Sequence, residues 1–564
     1  MSTWIKQRWD KGKMISGLKP AVFLTIVSCF MLFIFAPLEI YLGNQNEFWY
    51  DSYMLMPFLI KDFLIASAVS LCGFIAAYLL GNFFYTAAVY CYFTCFIACY
   101  IQGNYLVSGL PPFDGTDVNW DMYRSETIWD VIIWLVIAIV ILAVLLILKS
   151  RKFLTLVFCA SIFFFLMLGS TLTVLGVNGG LLKQKQFVKF TKNDQFEMSS
   201  DTNFIILLLD AIDEACFWEI WERHPEYEEA MADFTFYNNA MSGYAYTDHS
   251  LPLMISGEWF ENEEPYEDYI DRIYRDSPFF NFLEEQGYSL SFYDDEIQFE
   301  TGVMDGEFAN MTYAKSTLLD PQLFNTRIIK MTGVKYAPYF MKPYCWFDPN
   351  KLNHQQLGSK DAELFVWNNG AFYDDVKKES ITCVDEKRFK LIHLMGAHVP
   401  FRYDQYVNEI EDADYFTCIE SSMTVTMAYL DKLREAGVYD NSIIFVLSDH
   451  GYNISGDAVR IPQRDENQNG RQHPILFVKG LNESHDLKIS GAPISYEDLV
   501  EAYYKLLEGN LSDDCFEYQE GDYRERRYLL YKYLGEDHMV EYIQTGYAGD
   551  EETLIPTGRV FDAK

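Results

Sequence analysis

Basic residues are scarce in this chain. Against 80 aspartates and glutamates stand 44 lysines and arginines in 564 residues, a formal net charge of −36. A nucleic-acid surface needs a basic face, so this balance works against such a partner and suits an exposed extracytoplasmic domain. Cysteine is sparse where it would count. Outside the long apolar runs only Cys216, Cys345, Cys383, Cys418 and Cys515 remain, with no close CxxC pair, so neither a zinc ribbon nor a dense disulfide framework is supported. Cys29, Cys72, Cys91, Cys95, Cys99 and Cys159 fall inside apolar runs, where they act as small apolar residues. No internal repeat or low-complexity segment stands out. The first apolar run lacks a clear small-residue cleavage site and is followed by others, which argues against a cleaved signal peptide.

What the chain has in excess is apolar and aromatic surface, 50% and 17% of its residues. Much of it lies before residue 180, in runs near 20–42, 57–80, 83–101, 128–148 and 153–176. Each is long enough to cross a hydrocarbon core, which takes roughly 20 residues. Lys61, Asp62 and Asp130 sit near run ends, where interfacial placement is cheap. The other way to use such runs is as buried helices of a large soluble core. The spacing predicts a five-span α-helical transmembrane anchor over 1–176. Lys6, Arg8, Lys11, Lys13 and Lys19 precede the first span, and Lys149, Arg151 and Lys152 separate the last two, so both clusters are expected on the cytoplasmic side. The loops at 43–56 and 102–127 carry Glu47, Asp51, Asp114, Asp117, Asp121 and Glu126 and read as external. Everything from residue 177 onward is then expected outside the membrane.

Residues 177–202, with Lys183, Lys185, Lys189 and Lys192, read as a polar juxtamembrane linker or surface helix. From 203 to 564 short apolar runs alternate with helical patterns. Strands are expected at 203–209, 288–293, 389–395, 443–448 and 474–478, and helices at 276–287 and 415–436. That alternation predicts an extracytoplasmic α/β domain with a central, mostly parallel sheet and ligands at the carboxyl ends of its strands. The acidic stretch 258–276 reads as a solvated insertion. Together with the aromatic-rich 336–347, it is also a candidate for shaping an acceptor cleft.

Three stretches carry the chemistry. Asn203-Phe-Ile-Ile-Leu-Leu-Leu-Asp210 is an apolar strand ending in a carboxylate, which either binds a cation or caps the following helix. Ile443-Ile-Phe-Val-Leu-Ser-Asp449-His450-Gly451 is a second, ending in an Asp-His pair at a turn that Gly451 permits. Asp210, Asp449 and His450 together supply hard oxygens and one imidazole, a set suited to one Zn²⁺ or Mn²⁺. Tyr244-Ala-Tyr-Thr247-Asp-His-Ser-Leu-Pro252 places a hydroxyl ahead of an apolar helical run. Thr247 is either an N-cap or a nucleophile, and the roles are compatible, since a helix N-terminus also holds a phosphoryl oxygen. A free threonine hydroxyl is a poor nucleophile that coordination to a divalent cation would activate. His398, in Gly396-Ala-His-Val-Pro-Phe401, is either an exposed loop residue or a proton donor and phosphate ligand. His473 and His249 are weaker candidates, and His393, inside its strand, reads as core.

These motifs in this order, with Ala492-Pro-Ile-Ser-Tyr-Glu-Asp498-Leu after them, resemble the alkaline-phosphatase/sulfatase superfamily. The membrane anchor ahead of them is similar to that of lipoteichoic acid synthases and lipid A phosphoethanolamine transferases. The resemblance implies that Thr247 takes a phospho-group from a membrane phospholipid and passes it to a cell-surface glycan or glycolipid in a bacterial-type envelope. It further implies that Asp210, Thr247, Asp449 and His450 bind the metal, and that His398 binds phosphate or donates a proton. The chain departs from the pattern in three ways. Gly243 and Leu253 stand where phosphoethanolamine transferases carry paired cysteines, and 451–472 has no further histidine. The Cys/Ser-x-Pro-x-Arg signature of true sulfatases is absent. The expectation is a phosphoglycerol or phosphoethanolamine transferase. The alternatives are a membrane-tethered phosphate- or sulfate-ester hydrolase, or an inactive binding module.

Overall fold

The computed structural model describes residues 11–44, 48, 50, 52–107, 118–178, 187–294, 308–314, 317–318, 320–347, 357–358, 363–452, 471–532 and 535–563. Lys6, Arg8, Glu47, Asp51, Asp114, Asp117, Lys183 and Lys185, used above for topology and the linker, lie outside these residues. The chain forms two compact units. Met1–Lys185 with Ser316–Gly358 make one, and Gln186–Lys315 with Ser359–Lys564 the other.

Among the described residues the first unit holds four helices long and apolar enough to cross a membrane: Ser16–Gly43, Ser52–Leu80, Asn82–Tyr105 and Trp120–Asn178. Five spans were expected. The runs at 128–148 and 153–176 fall on one helical stretch that a single residue, Lys149 (φ 59°, ψ 162°), takes out of helical geometry. At 59 residues that stretch has length for two crossings, each needing roughly 20. Leu64, Val69, Ile139 and Leu146 leave more than half their surface open, which suits a hydrocarbon surround rather than water. The helix Pro321–Tyr336, started by Asp320 accepting from the amides of Gln322 and Leu323, packs Phe324, Ile328 and Met331 against Leu38, Tyr41, Tyr50, Leu55 and Leu59. The aromatic-rich stretch 336–347 thus belongs with the apolar helices and not with the sheet of the second unit.

The second unit is built on a seven-stranded sheet. Its strands are β1 (Asn203–Leu209), β2 (Thr235–Tyr237), β3 (Tyr288–Tyr293), β4 (Lys387–Leu394), β5 (Ser442–Leu447), β6 (Leu476–Lys479) and β7 (Lys488–Ser490), in the order β7-β2-β6-β5-β1-β4-β3. β1, β3, β4 and β5 run parallel, and β6 runs antiparallel to both its neighbours. Every side chain of β1 is buried, because both faces are covered. Phe204, Ile206 and Leu208 join one apolar core, and Ile205, Leu207 and Leu209 the other. The register sets Leu209 beside Leu394 and Leu208 beside Leu447. The residues following β1, β4 and β5 therefore emerge side by side at one edge.

All five expected strands are present, shifted by a residue or two, as are helices Pro278–Glu285 and Tyr415–Glu435. The expected linker or surface helix differs. Phe187–Phe190 pairs antiparallel with Met311–Ala314, and Glu197–Ser199 pairs parallel with Thr382–Val384. Also unforeseen is a C-terminal antiparallel sheet of β8 (Arg526–Lys532), β9 (Gly535–Gln544) and β10 (Leu554–Asp562).

Phe204 is the hinge of the first core, its ring touching those of Phe279, Phe389, Phe445 and Tyr503. Phe204→Ala is expected to cost about 3–5 kcal/mol, measured by denaturant unfolding of the detergent-solubilised full chain.

Candidate metal and nucleophile site

The carboxyl edge of the sheet gathers the candidate ligands. Asp210 follows β1, and Ser448-Asp449-His450 follows β5. One ligand atom from each of Asp210, Asp449 and His450 lies within 4.8 Å of the others, and all three residues are buried. His450 Nε2 stands 3.8 Å from Asp210 Oδ1 and 3.3 Å from Asp449 Oδ2. His450 Nδ1 lies 2.6 Å from the carbonyl of Gly451, a contact that fixes the ring and leaves Nε2 toward the carboxylates.

The backbone holds this geometry through reciprocal bonds. Ala211, at φ 58°, donates its amide to Asp449 Oδ1 at 3.2 Å, and Ile212 donates to Ser448 Oγ at 2.8 Å. Ser448 in turn donates to the carbonyl of His450, and Tyr496 donates to that of Ser448. After these bonds Asp210 Oδ1 and Oδ2 and Asp449 Oδ2 still have no hydrogen-bond partner, although each is buried. A buried carboxylate without donors is expensive unless a cation neutralises it. The donor set fits one divalent ion, with oxygen from two carboxylates and one imidazole nitrogen.

Thr247 opens the helix Thr247–Ser256, with extended Tyr246 at the N-cap position and no side-chain cap. The capping role open to Thr247 in the sequence is therefore not taken up. One turn later Ser250 donates to the carbonyl of Asp449 at 2.5 Å, and the Tyr246 ring lies 6.3 Å from that of His450. These ties set the helix that Thr247 opens beside Asp449 and His450. Gly243 and Leu253 lie close together: a Cβ on Gly243 would meet Leu253 Cδ2 at 2.3 Å.

His398 sits on a loop bolted to Asp210. The Asp210 amide donates to Leu394, and Ala397 donates back to the Asp210 carbonyl at 2.9 Å. Asn369 clamps Gly396 from the other side through both its amide atoms. Burial tends to raise the Asp210 pKa. The charge of His398, the His393 imidazole beside it and the charge of His450 outweigh it and hold the carboxyl well below its usual range.

His393 is more than core. It lies between Asp294, 2.6 Å from Nδ1, and Asp210, 3.5 Å from Nε2. Burial disfavours its charge, yet the flanking carboxylates raise its pKa well above the ordinary value. The Trp367 ring packs on both His393 and His398. Asp294, His393 and Asp210 thus stand in one buried row, and the Trp367 indole N–H donates to His393 Nε2 at 3.2 Å. Asp294 follows β3 as Asp210 follows β1, and it is the sheet order that sets His393 in the strand between them. The other two histidines serve packing. His473 Nε2 lies 2.9 Å from the Asn238 carbonyl, and His249 is enclosed by Tyr244, Phe260, Tyr266 and Tyr531.

Gly396, at φ 58°, permits the closest approach. A Cβ there would lie 2.3 Å from the backbone nitrogen and oxygen of Asp210. Gly396→Ala is expected to destabilise the full chain by at least about 2 kcal/mol, read as a lowered denaturant midpoint, and to displace His398 from Asp210.

A family model for sulfatases matches residues 202–509, more than half of the chain. No curated protein matches it significantly. Among solved structures, Ps i-CgsB in complex with k-i-k-neocarrahexaose is 12% identical, with a TM-score of 0.39, covering 61% of this chain and 82% of that one. The lipoteichoic acid synthase LtaP from Listeria monocytogenes is 11% identical (TM-score 0.34; 62% and 86% covered). The C-terminal periplasmic domain of EcEptC from Escherichia coli is 10% identical (TM-score 0.34; 63% and 95%). It is the match over 202–509, spanning both the Asp210 and the Asp449-His450 stretches, that decides: the chain belongs to the sulfatase family.

Proposed function

We propose that this protein is a multi-pass membrane enzyme with an extracytoplasmic catalytic domain. In this reading it transfers a phospholipid head group, phosphoglycerol or phosphoethanolamine, to a cell-surface glycan or glycolipid. The observation that carries the reading is the trio of buried, donor-less carboxylate oxygens on Asp210 and Asp449, set beside the helix that begins with Thr247. The apolar helices of the first unit add a reason for lipid as donor, since tethering to a bilayer raises the effective concentration of its lipids.

A divalent cation, Zn²⁺ or Mn²⁺, held by Asp210, Asp449, His450 and Thr247, would lower the hydroxyl pKa and offset phosphoryl charge. The chain's own residues do the rest. Thr247 Oγ, its hydroxyl proton already released to solvent, attacks the lipid phosphorus, the bond from phosphorus to the diacylglycerol oxygen breaks, and protonated His398 gives that oxygen a proton. The head group is then carried as a phosphothreonine ester. In the second half the acceptor hydroxyl loses its proton to His398, attacks the same phosphorus and displaces Thr247.

Mass spectrometry of the full chain, after incubation with Mn²⁺ and phosphatidylglycerol or phosphatidylethanolamine, tests this. The expected result is a head-group adduct on Thr247 that disappears in Thr247→Ala and is discharged by a glycan acceptor. Discharge by water alone would make the protein an ester hydrolase. An adduct elsewhere, or full turnover in Thr247→Ala, would defeat the mechanism.

A further inference from the structure

Among the described residues Arg471 is an arginine without a carboxylate partner. In a chain of net charge −36, Arg388, Arg524 and Arg527 of the same unit are each paired with at least one acid, whereas Arg471 makes no ion pair among the described residues. Its backbone is pinned beside the metal ligands: its carbonyl accepts from the Gly451 amide at 2.7 Å and from Ser242 Oγ at 3.2 Å. Its side chain is held by aromatic faces. The guanidinium carbon lies 4.5 Å from the ring centre of Tyr246 and 5.7 Å from that of Tyr452. Tyr246 immediately precedes Thr247, and Tyr452 follows Gly451. One N–H reaches the Ala245 carbonyl at 3.3 Å, and the guanidinium has five N–H groups in all.

Such a group is charged at every working pH, and its planar fork matches paired oxygens on one phosphorus or carboxyl carbon. Stacking on tyrosine fixes the plane of the fork before any ligand arrives. A cation with no anion among the described residues, oriented by the residue that adjoins Thr247, is built to meet an anion there. We propose that Arg471 binds two non-bridging oxygens of the phosphoester whose phosphorus Thr247 attacks, a catalytic contact beyond the Asp210, Asp449, His450 and His398 set. It rests on the reading of the site as a phosphoryl-transfer centre. Arg471 neutralises charge on the equatorial oxygens from the side of Tyr246 and Tyr452, so the phosphoester is held at two points instead of one. No bond is made or broken by Arg471.

The test uses the detergent-solubilised full chain with Mn²⁺, inorganic phosphate as probe, and the Thr247 adduct from phosphatidylglycerol as second readout. Arg471→Ala is expected to weaken phosphate binding by about tenfold or more. It should slow adduct formation by about 10²–10³-fold, with melting temperature and bound Mn²⁺ unchanged. Arg471→Lys, which keeps the charge and loses the fork, should fall between, and added guanidinium ion should restore part of the phosphate binding of Arg471→Ala. Wild-type phosphate affinity in both variants would overturn the proposal, whatever the adduct does. Weakened phosphate binding in a protein whose wild type forms no lipid adduct would uphold Arg471 as a phosphate ligand and sink only the lipid-donor reading.

Discussion

The structure depends on negative charge that its own backbone leaves uncompensated. Asp210 and Asp449 end two neighbouring parallel strands, and the register makes them meet in a fully buried space. Hydrogen bonding saturates one oxygen, Asp449 Oδ1, and leaves three without donors. Two carboxylates desolvated together repel each other unless positive charge stands between or beside them. The molecule places imidazoles around them, His450, His393 and His398, and leaves a gap between His450 Nε2 and both carboxylates that exceeds hydrogen-bonding distance for Asp210. A cation held there would resolve the electrostatics and would supply the Lewis acidity that the sulfatase family generally uses.

Everything else at the site serves to keep those charges in place. The sheet gives the strand ends a common edge, and its two apolar cores hold that edge rigid. Gly396 lets the His398 loop lie directly on the Asp210 backbone, while Asn369 closes it from behind. Ser250 ties the helix that begins with Thr247 to the Asp449 carbonyl by one hydrogen bond. Gly243 and Leu253 lie close together ahead of and within this helix, and the eleven cysteines are all free among the described residues.

Most of this was legible in the sequence, for physical reasons. The apolar runs of β1 and β5 and the residues that end them are local signals, because a strand buried on both faces must be continuous in hydrophobicity. Thr247 stood out because a polar turn precedes an apolar helix. The misses are non-local. His393 looked like core because its strand is apolar, and only the pairing of β4 between β1 and β3 shows it between Asp210 and Asp294. Arg471 is read correctly only once Tyr246, more than two hundred positions earlier, is seen beneath it. The short strands at 187–190 and 197–199 and the C-terminal sheet are likewise set by tertiary pairing rather than by propensity.

Anomalous diffraction from crystals of the full chain grown with Mn²⁺ or Zn²⁺ tests the central claim most directly. The account predicts one peak bounded by Asp210, Asp449, His450 and the Thr247 hydroxyl. A map with no peak there, in which His450 closes onto Asp210 in a direct ion pair, would contradict it.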